Sequence, residues 1–242
     1  MGEKTSPPRY ALLDELRGAA IILMVVYHAF YLLGYVLGSR AGRALFGYAM
    51  SVQPFIAGTF ILLCGLCCRF SRSNLKRGLR TAGAAAAVTL ATLAMTLFGV
   101  DEVIWFGVLH FLACAMLLFA LIEKLPGKLP PLPQVIIFTA LFLVFSFWRP
   151  FPRTDFFPLY ALGFRSYTLR SADYFPLIPW LFLFLAGTAI GVYGKRGRFP
   201  EWVVKSRMPA LAWLGRHSLL IYLLHQPALF GVFGLAEYLL RR

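Results

Sequence analysis

Acidic residues are scarce in this chain. Ten Asp and Glu stand against 24 Lys and Arg, a surplus that suits a protein facing anionic lipid headgroups. A nucleic-acid binder would gather its cations on one solvated patch, but here they are scattered between hydrophobic blocks, so no nucleic-acid partner is expected. Cysteine is also sparse. Cys64, Cys67, Cys68 and Cys114 all lie in apolar runs, and no second pair completes a metal site; they read as small packing residues, with no metal expected. The N-terminus lacks an Ala-x-Ala exit, and Asp14 and Glu15 precede its first apolar run, which argues against a cleaved leader. Gly2 to Ser6 fits a myristoylation pattern, read as chance in a chain already embedded by many helices. No internal repeat, low-complexity tract or soluble domain is visible.

What the chain has instead is long apolar blocks. They predict an all-α fold, a polytopic membrane helix bundle of about seven transmembrane helices, with residues 1–242 as one membrane-embedded domain. The expected spans are 13–37, 45–68, 79–99, 103–123, 133–148, 174–194 and 211–235. The basic loops set the orientation. Lys4 and Arg9, then Arg69 to Arg80, then Lys124 and Lys128, then Lys195 to Arg207 fall on one side if the N-terminus is cytoplasmic. Arg40, Arg43, the four arginines of 149–173, Arg241 and Arg242 fall outside. The 149–173 loop mixes aromatic and basic residues. It reads as an interfacial connector or as a cover over a site opening outward.

Polar residues inside the spans are the functional candidates. Arg17 and His28 are eleven residues apart on the first span. Eleven steps of a helix return to within roughly 20° of the start, about 16 Å along the axis. The guanidinium would sit at one surface and the imidazole near mid-bilayer. Asp14 shares that stripe and can pair with Arg17, either as an ordinary inner anchor with its counter-ion or as a held guanidinium that grips a phosphate. His110 and His225 fall at depths similar to that of His28. Each of the three histidines is either a satisfied packing residue or a member of a common site. Ser218, Tyr222 and His225 form one stripe on the last span, and Pro227 is expected to kink or end that helix. Gln53, Asp173 and Trp180 are expected at external helix starts, where they could recognise an acceptor sugar or serve as caps and aromatic belt.

Leu13-Asp14-Glu15-Leu16-Arg17-Gly18, followed by His28, resembles the opening signature of the heparan-alpha-glucosaminide N-acetyltransferase catalytic-domain family, within the wider group of transmembrane acyltransferases. Further segments resemble its short bacterial branch. They are Gln53-Pro54-Phe55-Ile56, Ser71 to Gly78, Phe106 to His110, Asp173 to Pro176, and Leu214-Gly215-Arg216-His217-Ser218 continuing to Tyr222 and His225-Gln226-Pro227. The resemblance implies transfer of an acetyl or other acyl group from cytoplasmic acetyl-CoA (acyl-CoA) to a sugar or glycolipid amine or hydroxyl, in a bacterial cytoplasmic membrane. It implies His28 as base or acyl carrier, with His110 or His225 orienting it or binding the acceptor. Arg17, Arg72, Asn74, Lys76 and Arg77 would meet the coenzyme's phosphates. The bilayer, the acyl-CoA, the acceptor and optionally a second copy as homodimer are the expected partners.

The chemistry fits those residue types. A thioester is already activated, so the protein must place its carbonyl against a nucleophile and remove a proton, which suits a histidine. Two other classes stay open at this point. A transporter or flippase of a sugar or lipid intermediate also uses midplane polar groups and broken helices. A haem-binding electron carrier would use two of the histidines as axial ligands. A retinal protein is disfavoured, since the last span has no lysine for a Schiff base.

Overall fold

The computed structural model describes residues 10–97, 99, 102–123, 129–148 and 151–240. Lys4, Arg9, Lys124, Lys128, Arg149, Arg241, Arg242 and the Gly2–Ser6 pattern lie outside the described residues. The described chain is helical: α1 (Ala11–Tyr35), α2 (Arg40–Cys68), α3 (Asn74–Thr96), α4 (Val108–Ile122), α5 (Pro131–Phe147), α6 (Phe157–Leu162), α7 (Leu177–Lys195), α8 (Glu201–Val204), α9 (Pro209–Arg216) and α10 (Ser218–Leu240).

Among the described residues five helices are long and apolar enough to cross a membrane: α1, α2, α3, α7 and α10. This is a multi-pass membrane protein. The expected spans at 103–123 and 133–148 are shorter helices, α4 of 15 residues and α5 of 17. At 1.5 Å per residue they reach about 22 and 25 Å, less than the roughly 30 Å of a hydrocarbon core. The helices cluster in two compact units, residues up to Phe60 with Phe199 onward, and Ile61–Arg198.

In the first unit α1 is the axis. Its apolar run carries no proline, and Asp14 in the first turn opposes the positive end of the helix dipole. Arg43 closes the other end, its Nη1 donating to the Gly34 and Gly38 carbonyls at 3.1 and 2.9 Å. α8, α9 and α10 pack on α1. The contact with α9 is backbone to backbone. A Cβ on Gly18 would lie 2.0 Å from the Leu211 carbonyl oxygen, and one on Gly215 would lie 1.9 Å from that of Asp14. Only glycine permits this approach.

One expectation for this unit needs correction. The span expected at 211–235 is divided at His217: α9 ends there and α10 begins at Ser218. Pro227, expected to kink or end the helix, lies inside α10, which continues past it to Leu240. A proline costs one backbone hydrogen bond, and the remaining turns carry the helix past it.

In the second unit α4 is the buried element. Phe111 and Ala115 are fully buried, and Leu112, Met116 and Phe119 nearly so. A helix apolar on all sides reads as a membrane span or as a core helix, and α4 is packed by protein, with α3 and α7 against it. The segment leading into α7 folds back on the turn before α4. The Phe175 N–H donates to the Phe106 carbonyl (3.1 Å), the Ala172 N–H to that of Val103 (3.2 Å), and the Trp105 N–H to Ser171 Oγ (3.1 Å).

Candidate active site

The first unit brings two of the expected residues together. His28 on α1 and His225 on α10 have ring centroids 4.9 Å apart, with planes at 62°. His28 Nδ1 lies 2.9 Å from the Met24 carbonyl oxygen, and His225 Nδ1 lies 2.6 Å from that of Tyr222. A carbonyl only accepts, so each Nδ1 must carry the hydrogen in the neutral ring. Each Nε2 then holds a lone pair. His225 is 7% exposed, the one buried polar side chain of α10 among the described residues. Its Nε2 has no hydrogen-bond partner there, and neither has the buried Oε1 of Gln226. A buried acceptor left open is a costly feature unless something else fills it.

Aromatic rings surround the pair. Tyr27 stands 5.1 Å from His28 and Tyr222 stands 5.4 Å from His225, centroid to centroid. Ser218 opens α10 two turns before His225. At the opposite end of α1, Arg17 Nη1 and Asp14 Oδ1 are 3.4 Å apart, the i,i+3 pair expected of the signature. The helix is continuous from Arg17 to His28, so the expected rise of about 16 Å between them stands.

The signature holds a further engaged side chain whose partners the sequence did not reveal. Glu15 is 5% exposed. Its Oε1 accepts from the Ser206 hydroxyl and from the Arg207 and Met208 N–H groups, each at 2.8 Å. It thereby fixes the chain entering α9. No local pattern could have indicated this, because its partners lie 191 to 193 residues away.

Gln53 sits differently from expectation. α2 begins at Arg40, so Gln53 lies inside the helix, more than three turns from its start, and has no free helix-end N–H groups beside it.

His110, Asp173, Trp180 and the basic segment at 72–77 belong to the second unit. There His110 is a capping residue. Its Nδ1 accepts from the Gly107 N–H at 3.2 Å, so its Nε2 carries the hydrogen and donates to Thr89 Oγ1 at 2.9 Å. The Thr89 hydroxyl passes the chain on to the Ile104 carbonyl at 2.7 Å. Both ring nitrogens of His110 are engaged. Asp173 Oδ2 accepts from the Val108 N–H at 2.9 Å, so it caps α4 rather than the α7 start where it was expected. Trp180 packs its ring between those of Phe142 and Phe175.

The expected phosphate ligands divide into two groups. Arg72 and Lys76 are exposed. Asn74 is 1% exposed, and its Nδ2 donates to the Cys68 carbonyl and to Glu123 Oε2. Arg77 Nη1 donates to the Cys67 carbonyl at 3.3 Å and lies 3.7 Å from Cys68 Sγ. Asn74 and Arg77 thus tie the start of α3 to the end of α2. Among the described residues no group of His, Cys, Asp and Glu could hold a metal ion.

A family model described as "Heparan-alpha-glucosaminide N-acetyltransferase, catalytic" matches residues 9–227, nearly the whole chain and every segment named above. The chain belongs to this family. No curated protein and no solved structure matches it. Membership in the heparan-alpha-glucosaminide N-acetyltransferase family makes this a membrane acetyltransferase by class, and it favours acyl transfer over the transporter and electron-carrier readings. The matched region ends at Pro227, two residues past His225, and so takes in both members of the histidine pair.

Proposed function

We propose that this protein transfers an acetyl or other short acyl group from acyl-CoA to a sugar amine or hydroxyl at the membrane, with His28 as the proton-accepting residue and His225 beside it. The observation that carries the reading is the pair of adjacent imidazoles whose Nδ1 atoms are both committed to backbone carbonyls. That commitment leaves Nε2 of each ring as the basic atom. The acceptor's nitrogen or oxygen attacks the thioester carbonyl, and its proton passes to His28 Nε2. The carbon–sulfur bond breaks, and the departing thiolate takes the proton from the imidazolium. His225 Nε2 offers a second acceptor for a hydrogen on the attacking group.

Arg17, held by Asp14, and the exposed Arg72 and Lys76 draw the polyanionic donor to the cytoplasmic side, with the N-terminus cytoplasmic. Tyr222 and Ser218, on the stripe of His225, are the residues of this unit that would meet the acceptor. His110 and Asp173 are spent on capping α4.

The test is transfer of radiolabelled acetyl from acetyl-CoA to a panel of amino sugars and sugar alcohols by the full chain in nanodiscs. Activity in the native protein and its loss in His28→Ala support the reading. Full activity in His28→Ala ends it.

A further inference from the structure

The segment Leu214-Gly215-Arg216-His217-Ser218 carries two residues with different surroundings, Gly215 and Arg216. Gly215 permits the backbone approach to Asp14. Arg216 has no such task. It is exposed, and it lines a cavity of about 350 Å³ at the beginning of α1 with Ala11, Asp14, Ser206, Pro209 and Ala212. That volume lies at the lower end of the ~300–1,000 Å³ typical of small-molecule sites.

The lining has a definite chemistry. Ala11, Pro209 and Ala212 give it apolar walls, and Arg216 adds a guanidinium. The one carboxylate in it, Asp14, is already paired with Arg17. The lining thus carries the Arg216 guanidinium, while the two carboxylates of this turn are engaged elsewhere, Asp14 by Arg17 and Glu15 by residues 206–208. An apolar slot with an arginine suits a flat ring system joined to a phosphate, since guanidinium binds phosphate through paired hydrogen bonds. The walls are fixed in advance: Glu15 holds residues 206–208, and the close approaches at Gly18 and Gly215 hold α9. A preformed site loses less on binding than one that must be ordered. The cavity also stands at a useful distance, since α1 rises about 21 Å from Asp14 to His28. A ligand seated here by its phosphorylated end needs a long thin arm to reach the imidazoles.

We propose that this cavity seats the phosphorylated nucleotide end of the acyl donor, and that Arg216 binds its phosphate. The inference rests on the acyl-transfer reading above and adds a residue to which that reading gives no role.

The experiment uses the full chain in phosphatidylcholine nanodiscs. The probes are acetyl-CoA as substrate and adenosine 3′,5′-bisphosphate, which lacks the thioester arm, as competitor. Arg216→Gln should raise KM for acetyl-CoA about 10- to 100-fold, the range expected for losing a hydrogen bond to a charged group, with kcat at saturation within about threefold. Inhibition by the bisphosphate should weaken in parallel, and Arg216→Lys should recover part of both. Ala212→Leu fills the cavity without removing charge and should also raise KM, which keeps the proposal testable if Arg216→Gln folds poorly. Lys205→Gln removes an exposed charge nearby and should stay within about threefold, as expected of a screened surface charge.

Unchanged KM and unchanged bisphosphate inhibition in both Arg216→Gln and Ala212→Leu overturn the proposal and leave the acyl-transfer reading standing. An anionic lipid headgroup carries the same phosphate chemistry. If added phosphatidylglycerol stabilises the native protein but not Arg216→Gln, while donor KM does not move, the cavity is a lipid site and the proposal fails. A native protein that neither binds the bisphosphate nor transfers acetyl removes the acyl-transfer reading and this inference together.

Discussion

His28 and His225 meet ring against ring at 4.9 Å, and each turns its Nδ1 away to a carbonyl of its own helix. The helices α1 and α10 thus present two basic nitrogens to one region while satisfying the other two. A proton-accepting site needs this division of labour, and it is set by the backbone rather than by a further side chain.

The first prediction follows from that pairing. His28→Ala should lower kcat by about 10²- to 10⁴-fold, the usual contribution of a positioned general base. His225→Ala should also lower kcat, by a smaller factor. Residues that act as a unit are not additive, so the double variant should be no more than about threefold slower than His28→Ala alone. Kinetics of the three variants in nanodiscs check this. Fully multiplicative losses would show that the two rings act at separate steps.

The second prediction concerns Glu15. Removing its carboxylate leaves the Ser206 hydroxyl and two backbone N–H groups without their acceptor. An orphaned partly buried donor costs about 1–3 kcal/mol, so Glu15→Ala should clearly lower the thermal midpoint read by tryptophan fluorescence. Gly18→Ala should lower it further, because the new methyl meets the backbone of Leu211 rather than a movable side chain. Glu15→Gln keeps an acceptor oxygen and should fall between the native protein and Glu15→Ala. An unchanged midpoint in Glu15→Ala would remove the clamp.

Much of this is legible in the sequence itself. The helical class and the cores of α1, α2, α3, α7 and α10 follow from apolar runs, and the Asp14–Arg17 pair follows from i,i+3 spacing. Three things were not legible. α4 is apolar all round, and composition does not tell a helix wrapped by protein from one wrapped by lipid. The break at His217 follows directly on α9, which docks against α1 through Gly18 and Gly215, a contact between residues nearly two hundred positions apart. Finally, a histidine in an apolar run gives no sign of whether both its nitrogens will find partners. His110 finds them in Gly107 and Thr89, whereas His225 keeps one nitrogen open.

The third prediction tests that contrast. Thr89→Val removes the acceptor of the His110 Nε2–H and the donor to the Ile104 carbonyl. It should lower thermal stability by about 1–3 kcal/mol and leave kcat within about threefold, since both ring nitrogens of His110 are spent on the cap of α4. His110→Ala should behave in the same way, with the cap of α4 lost on the Gly107 side. A large loss of kcat with an unchanged thermal midpoint in either variant would mean that His110 serves the chemistry and not the cap.

The fourth prediction is a pH dependence in the 151–176 segment. Asp155 Oδ1 accepts from the Ser166 hydroxyl (2.6 Å), from the Tyr167 and Thr168 N–H groups (2.8 and 3.1 Å), and from the Thr168 hydroxyl (3.1 Å). These donors, Ser166 first, hold the carboxyl below its ordinary value of 3.8. A carboxylate whose folded pKa is depressed stabilises its surroundings fully above the ordinary value, and that contribution is lost as pH falls through the lowered one. The loop should therefore stay closed around Asp155 at pH 5 and open only in stronger acid. Asp155→Asn replaces the charged acceptor with a weaker one and should leave the loop open at both pH values. Pepsin, which is active in acid, reads the difference. Cleavage between 155 and 170 in the native protein, relative to the Asp155→Asn variant at the same pH, should be low at pH 5 and rise toward equality as the carboxyl takes up its proton. Equal cleavage of the two proteins at pH 5 would show that the ionised carboxylate does not organise this loop.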